Sequence, residues 1–240
     1  GRDVGFDGVE VGTMGDPGEV DKVRAASEKT GLQVHSIKNQ AHWSHPLSSS
    51  DPGEVKKSIE GMQTSLRNAK ALGADTVLLV PAVVNEQTRY AEAYERSQKQ
   101  IRELLPLAME LGVTIGVENV WNKFLLSPIE FARYVDELQS PNLRAYFDVG
   151  NVVILGFPQD WIRTLGKRIA KVHIKGYDGR KDATWGAFCN LREGSINWPE
   201  VRKAFAEIGY EGWLTAEIGG GDEKYLRAVV SDMDKIVRGE

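Results

Sequence analysis

Cysteine is nearly absent from this 240-residue chain, which contains only Cys189. A single thiol cannot form an internal disulfide or a thiolate metal cluster, and it fits a reducing compartment, so we expect a cytoplasmic protein. Long apolar runs are absent as well. No stretch approaches the roughly 18–20 apolar residues that cross a bilayer, and residues 1–5 do not resemble a secretory signal. We therefore expect no membrane partner.

An excess of basic charge is also lacking, because 30 lysines and arginines stand against 34 aspartates and glutamates and leave a formal charge of −4. A protein that neutralises a nucleic-acid backbone needs a basic face. We therefore expect no nucleic-acid partner. The remaining composition, 41% hydrophobic and 27% charged, is ordinary for a globular protein, and 240 residues are enough for one large α/β domain.

Short apolar runs rich in Val and Ile alternate with longer amphipathic segments along the whole chain. Such runs predict parallel strands that are covered by helices. The helical segments begin at recognisable caps, Asp16-Pro17, Asp51-Pro52 and Ser127-Pro128, and several end at glycine. The predicted strands cover residues 8–11, 32–37, 76–80, 114–117, 145–149, 171–174 and 213–218.

Repeated strand–helix units of this kind indicate a doubly wound sheet or a (β/α)8 barrel. A dinucleotide-binding sheet would carry a G-x-G-x-x-G turn after a strand, and "GGGD" at 219–222 lacks that spacing. We therefore predict a TIM barrel as a single domain over residues 1–240. Seven strands are counted where a barrel needs eight, so we expect the first strand and most of the first helix to be missing. An incomplete barrel or an unrecognised strand is the alternative.

Four successive predicted strands end in residues of the types that bind metals: Glu118, Asp148, His173 and Glu217. In a (β/α) barrel the carboxyl ends of the strands meet at one mouth. Three carboxylates that converge there would repel one another unless a cation lay between them. Three oxygen donors and one imidazole suit Mn²⁺, Mg²⁺ or Co²⁺, whereas Zn²⁺ would usually take more nitrogen or sulfur.

Several segments resemble the xylose isomerase-like barrels: "GFDGVEV", "GVENVWNKFLLSP", "YFDVGNVV", "KVHIKGYD", "REGSINW" and "GWLTAEI". Within them the chain is similar to the sugar-phosphate isomerase/epimerase group, which includes D-tagatose 3-epimerase, L-ribulose-5-phosphate 3-epimerase and hydroxypyruvate isomerase. The resemblance implies a metal-dependent isomerase or epimerase of a small sugar or sugar phosphate, with Mn²⁺ as the preferred ion, and a homodimer or homotetramer. It also implies that Glu118 and Glu217 transfer protons through a metal-stabilised cis-enediolate, while Asp148 and His173 serve only as ligands.

Candidate substrate contacts lie in loops near the expected mouth. Amides offer hydrogen bonds to sugar hydroxyls, an aromatic ring stacks on a sugar or excludes water, and related epimerases carry a substrate-contacting arginine near position 180. The candidates are Asn119, Asn122, Asn151, Arg180, His42 and Trp43. The alternative role is loop capping for the three asparagines and a solvated surface charge for Arg180.

Other charged residues near the strand ends are weaker candidates for the site. Lys175, Lys181 and Arg192 are candidates for holding a substrate phosphate, although no glycine-rich phosphate loop accompanies them. Glu10 ends the first predicted strand, and we expect it to pair with a neighbouring strand rather than to reach the mouth.

Three other functions stay open for the same barrel. A dehydratase or other lyase acting on polyols such as inosose would use the same ligands. A type IV apurinic endonuclease is similar in fold but is expected to need three zinc ions and several more histidines; this chain has four histidines in all, and Asn151 stands where a histidine would follow Asp148. A non-enzymatic barrel would keep the four residues only for stability.

Overall fold

The computed structural model describes residues 1–181 and 184–240. Seven strands in this part of the chain form one parallel sheet, in the order β1-β2-β3-β4-β5-β6-β9. They are β1 (Gly8–Gly12), β2 (Gln33–Lys38), β3 (Thr76–Leu79), β4 (Thr114–Glu118), β5 (Leu143–Asp148), β6 (Ile169–Ile174) and β9 (Leu214–Ala216). This nearly closed parallel sheet, wrapped by helices, confirms the predicted (β/α) barrel and its seven predicted strands.

A short antiparallel pair, β7 (Gly176–Tyr177) and β8 (Phe188–Cys189), lies outside the barrel sheet. The sequence predicted only a loop here. Two-residue strands carry no readable alternation of apolar and polar side chains, so their pairing comes from the way in which the loop folds over β6.

The α-helices of the described chain alternate with the barrel strands. They are α1 (Pro17–Thr30), α2 (Pro52–Leu72), α3 (Tyr90–Leu111), α4 (Pro128–Asp136), α5 (Pro158–Leu165), α6 (Trp198–Glu207) and α7 (Glu223–Arg238). The predicted caps are confirmed: Asp16, Asp51 and Ser127 each accept a hydrogen bond from a backbone N–H of the first helical turn, at 2.7–3.2 Å. In the described residues, no helix combines the length and the apolar character that crossing a membrane requires.

The hydrophobic core lies between the barrel sheet and the surrounding helices. Alternate strand residues such as Val77, Ile115 and Val117 are fully buried and belong to one continuous apolar cluster. Burial of each large apolar side chain stabilises the fold by about 1.5–3 kcal/mol. The side chains at the other strand positions point to the inside of the barrel, and many of them are polar.

Tyr146 of β5 fills the inside of the barrel against a glycine. A Cβ atom added to Gly116 of β4 would lie 3.1 Å from the Tyr146 side chain and from Thr76. The glycine therefore makes room for a fully buried tyrosine, whose hydroxyl reaches across the barrel to Glu10 of β1 at 2.8 Å. The strand β4 ("TIGVE") thus packs into the core through Ile115 and Val117 and against Tyr146 inside the barrel through Gly116.

The strands β1 and β9 form the two edges of the sheet, and no backbone pairing joins them in the described chain. A cavity of about 1070 Å³ runs along these edges and is lined by apolar groups such as Phe6, Leu214 and Met233. Side chains bridge part of the gap, since Trp213 stacks on His35 with ring centroids 4.7 Å apart. An eighth barrel strand is not among the described residues.

The fit of Gly116 against Tyr146 can be tested by overpacking. Gly116→Val places methyl groups where Tyr146 and Thr76 already lie, so we expect a loss of about 1–3 kcal/mol in the free energy of unfolding. Urea denaturation of the metal-free protein measures this loss. Gly15→Val is the matched control, because a Cβ atom at Gly15 meets nothing within 4 Å. Equal stability of the two variants would contradict the packing role of Gly116.

Candidate metal and active site

The four predicted ligands lie together at the carboxyl end of the barrel. Glu118 and Asp148 are the last residues of β4 and β5, His173 is the penultimate residue of β6, and Glu217 follows β9 directly. Because these strands are parallel, their side chains leave the sheet at one end. One donor atom of each residue lies within 4.8 Å of the others. Glu118, Asp148 and His173 are buried, whereas the Glu217 side chain is 36% exposed.

The imidazole of His173 presents one nitrogen to this cluster. Its Nδ1 atom lies 3.1 Å from Oε1 of Glu118, 3.7 Å from Oε2 of Glu217 and 4.0 Å from Oδ2 of Asp148. Its Nε2 atom lies on the other side of the ring, 3.1 Å from Oε1 of Glu10. Nδ1 is therefore the nitrogen available to a metal, while Nε2–H donates to Glu10, as metal-bound histidines commonly do to a carboxylate.

Glu10 is itself held by two hydroxyl groups. Ser36 and Tyr146 each donate a hydrogen bond to Oε2 of Glu10 at 2.8 Å. Burial alone would raise the pKa of Glu10, but the hydrogen bond and charge of His173, with the two hydroxyls, lower that pKa to about 2. Glu10 is thus an ionised acceptor. It pairs with the neighbouring strand β2 through Ser36, as expected, and it also fixes the orientation of His173, which was not foreseen.

The buried carboxylates hold protons easily when no cation is bound. Burial raises the pKa of Glu118 to about 7, and burial also raises the pKa of Asp148. Burial would lower the pKa of His173, yet Glu10 and Glu118 raise it well above its usual value. Burial opposes the charge of Glu217, but His173 and Lys175 lower its pKa. The negative charges of Glu217 and Asp148 add to the effect of burial on the pKa of Glu118, and a divalent ion relieves such repulsion.

One oxygen of the cluster has no hydrogen bond. Asp148 Oδ1 accepts from the Asn151 N–H at 2.8 Å, whereas Oδ2 is buried without a hydrogen-bond partner among the described residues. The ammonium of Lys175 lies 3.0 Å from Oδ2 as an ion pair. An unused lone pair inside a ring of oxygen and imidazole donors fits a divalent cation, so the four residues could hold a metal ion.

Two of the predicted substrate contacts hold the ligands in place. The Asn119 side chain donates to the carbonyl of Asp148 and accepts from its N–H, both at 2.9 Å. Asn151 donates in turn to the carbonyl of Asn119 at 2.9 Å. These bonds join the ends of β4 and β5 and fix the positions of Glu118 and Asp148. Contact of either asparagine with a sugar stays a prediction.

A cavity of about 410 Å³ opens at the mouth beside the cluster. It is lined by Lys38, Asn39, Gln40, His42, Trp43, Leu78, Glu118, Val120, Asn151, Lys175 and Glu217. The predicted His42 and Trp43 thus lie at the mouth, with Trp43 half exposed and His42 buried. Cavities of this size accommodate small molecules.

The other predicted substrate contacts lie elsewhere. The Asn122 side chain is occupied by the backbone, donating to the Ala82 carbonyl at 2.7 Å and accepting from the Phe124 N–H at 3.1 Å. The Arg180 side chain is 72% exposed and pairs with Asp178 at 2.6 Å. Neither is among the described residues that line the mouth cavity. A role in substrate binding for these two residues stays a prediction.

Sequence reasoning did not include Ser36, Asn39 or Tyr146 among the site residues. Tyr146 stands two positions before Asp148 on one strand, and alternate residues share a face. This spacing would have predicted that Tyr146 lies on the same face as Asp148. The reach of Ser36 to Glu10 depends on the register between β1 and β2, which shifts by one residue after Val9.

Comparisons with known proteins agree with the fold. The family profile described as "Xylose isomerase-like TIM barrel" matches residues 1–234. The chain is 26% identical over 185 residues to "Uncharacterized protein MJ1311" of Methanocaldococcus jannaschii, covering 72% of this chain and 62% of that protein. It is 26% identical over 201 residues to "Putative L-ribulose-5-phosphate 3-epimerase SgbU" of Escherichia coli, covering 81% of this chain and 69% of that protein. The first of these matches thus spans less than two thirds of the relative's length.

Solved structures share the fold. A "D-tagatose 3-epimerase-like protein" superposes with a TM-score of 0.83 at 21% identity, covering 97% of this chain and 90% of that one. An "L-ribulose 3-epimerase" superposes with a TM-score of 0.82 at 18% identity, covering 99% of this chain and 86% of that one. At such identities the likeness establishes the architecture alone.

The buried His42 predicts a loss of stability in mild acid. Burial, and then the charge of Lys38, lower the pKa of His42 from 6.5 to about 4. The unfolded chain therefore binds the proton at a higher pH than the folded protein does. The free energy of unfolding has its full contribution from His42 above pH 6.5 and loses about 3 kcal/mol of it as the pH drops towards 4. We expect the stability advantage of the wild type over His42→Gln to shrink by that amount between pH 6.5 and 4 in urea denaturation. Ser44→Ala is the control, because Ser44 is an exposed residue of the same loop without a titratable side chain, and its difference in stability from the wild type should stay constant over this pH range.

The contact between Glu10 and His173 predicts an effect on metal affinity. Glu10→Gln keeps the size of the side chain but removes the charge that orients Nε2–H, so we expect Mn²⁺ binding to weaken by about 10- to 100-fold. Titration calorimetry measures the affinity, and ¹⁵N NMR of the imidazole reports whether Nε2 carries the proton. Glu54→Gln is the matched control, because Glu54 pairs with His45 away from the cluster. An affinity within twofold of wild type would contradict the role of Glu10.

Proposed function

The chain belongs to the xylose isomerase-like TIM barrel family, and from this premise we propose that it is a divalent-metal-dependent epimerase or isomerase of a small sugar or sugar phosphate. One observation carries the proposal: the donor atoms of Glu118, Asp148, His173 and Glu217 converge within 4.8 Å at the mouth of the barrel. The names of the relatives, which include L-ribulose-5-phosphate 3-epimerases, support the substrate class.

The donor set supports a hard divalent ion, and we propose Mn²⁺, with Mg²⁺, Co²⁺ or Zn²⁺ as alternatives. Bound to these residues, the ion would supply the Lewis acidity that makes a C–H bond beside a carbonyl easier to break. Asp148 and His173 are proposed as ligands only. Both are fully buried, and their positions are fixed by Asn119, Asn151 and Glu10.

Glu118 and Glu217 are proposed as the two proton carriers. They come from β4 and from the end of β9, which are separated in the sheet by β5 and β6, so they approach a substrate in the mouth from different sides. Burial raises the pKa of Glu118 to about 7 in the metal-free protein. A bound ion would lower that pKa, so the basicity of Glu118 during the reaction would depend on the metal as well as on burial. One glutamate would remove a proton and the other would return one to the opposite face, which inverts the carbon. Return to the adjacent carbon would give isomerisation instead.

The mouth cavity supports a small polar substrate. Its volume of about 410 Å³ suits a pentose or hexose, and its lining combines charged groups, three side-chain amides and the half-exposed ring of Trp43. Carbohydrates bind to such mixtures because hydroxyls need hydrogen bonds while the ring C–H face packs on an aromatic side chain. A cytoplasmic location and assembly into a homodimer or homotetramer stay predictions.

Proton exchange tests the proposed reaction directly. The purified protein is incubated with Mn²⁺ in D₂O and with ketoses, ketose phosphates and inososes, and NMR follows deuterium at carbon. We expect exchange and epimer formation for at least one ketose or ketose phosphate, and an at least 100-fold loss, about the contribution of a general base, in Glu118→Gln. Elimination of water from an inosose without ketose exchange would favour the lyase.

Glu60→Gln is the matched control for this assay, because Glu60 is an exposed carboxylate on α2. It should keep the wild-type rate. Absence of deuterium from every compound tested, or full exchange in Glu118→Gln, would contradict the proposal.

A further inference from the structure

Lys175 is a buried cation beside the predicted metal ligands. It follows β6 directly, two residues after His173, so both side chains lie on the same face of the strand. Its ammonium lies 3.0 Å from Asp148 Oδ2 and forms a close ion pair with Glu217. The side chain is only 13% exposed and lines the mouth cavity.

The surroundings of Lys175 hold the ammonium in this place. Its Nζ atom lies 5.1 Å from the centre of the Phe188 ring in β8, a distance typical of a cation–π contact. A Cβ atom added to Gly150 would overlap Lys175 Cγ, so the backbone after β5 closes on the aliphatic stem. A lysine on a free surface would have neither contact. The hairpin that the sequence did not predict thus helps to confine the ammonium.

The role of Lys175 follows from the number of charges in the cluster. Glu118, Asp148 and Glu217 carry three negative charges when ionised, and a divalent ion balances only two of them. Glu10 behind His173 adds a fourth negative charge, and the remaining two positive charges come from Lys38 at the mouth and from the ammonium of Lys175. Without it, a substrate that becomes anionic during proton removal would enter a site that is already negative, where like charges repel strongly in a medium of low polarity.

We propose that Lys175 is a catalytic residue that contacts the substrate oxygen on which negative charge develops, and that its ammonium, which pairs with Asp148 and Glu217 in the metal-free protein, competes with an added metal ion for these two carboxylates. The catalytic part of this inference rests on the proposed function, whereas the competition does not. Neutral hydroxyl and carbonyl oxygens then enter a site without net charge, and the enediolate that forms from them is stabilised by a fixed positive group.

A purely structural role for Lys175 predicts something different. If the lysine only kept Asp148 and Glu217 in position, its removal would weaken metal binding and turnover together. The proposed roles predict that the metal affinity rises while turnover falls. Removing the lysine frees the two carboxylates for the ion, but it also removes the group that stabilises the enediolate. The signs of the two effects therefore separate the two roles.

The decisive experiment compares Lys175→Met with wild type by titration calorimetry with Mn²⁺ alone and by kcat on the best substrate of the exchange panel. We expect the Mn²⁺ affinity to rise by about tenfold or more, and kcat to fall by about 100-fold. We also expect the melting temperature of the metal-free protein to fall and the increase on adding Mn²⁺ to be larger than in wild type. Lys175→Arg, which keeps the charge, should retain the wild-type affinity within about threefold.

Lys171→Met is the matched control, since Lys171 is a buried lysine of the same strand that pairs with Asp75 at 2.8 Å, away from the cluster. It should not raise the affinity for Mn²⁺. An unchanged or lowered affinity in Lys175→Met would overturn the competition, and an unchanged kcat would overturn the catalytic role. If wild type acts on no sugar at all, the proposed function fails, while the calorimetry still decides the competition.

Discussion

The arrangement around His173 is the constraint on which the rest of the site depends. Three carboxylates face Nδ1 of one buried imidazole, and a fourth, Glu10, faces Nε2. Such a concentration of negative charge inside a protein is unfavourable unless protons, a metal ion or fixed donors compensate it. The donors are present on the Glu10 side, where His173, Tyr146 and Ser36 keep that carboxylate ionised. On the other side they are scarce, which leaves the cluster suited to a cation.

The fold provides this arrangement through the inside of the barrel. Gly116 gives Tyr146 the space to cross from β5 to Glu10 on β1, so the packing of the barrel and the orientation of the His173 imidazole are linked. The asparagines after β4 and β5 join the two strand ends by hydrogen bonds to each other's backbone. Each ligand is thus held by its strand and by a neighbour, a rigid support of the kind that metal sites need.

Lys175 changes the electrostatic account of the site. With the ligand carboxylates alone, the site would keep a net negative charge after binding a divalent ion. A negative site disfavours any reaction that forms an anion. The ammonium beside Asp148 and Glu217 balances that charge and is confined by Phe188 and Gly150. A site that a divalent ion, Lys175 and Lys38 would together make neutral suits both the binding of neutral sugars and the formation of an enediolate.

The sequence by itself determined the seven barrel strands, the helix caps and the identity of Glu118, Asp148, His173 and Glu217, because strand ends in a parallel barrel meet wherever the chain runs between them. It could not determine which nitrogen of His173 faces the carboxylate cluster, or that Glu10 and Tyr146 fix the ring, because those contacts join residues 136 and 163 positions apart. It also did not place Asn122 and Arg180 away from the mouth cavity or Lys175 within the cluster. Side-chain direction depends on strand register, bulges and the packing of neighbouring loops, and these are decided only when the barrel forms.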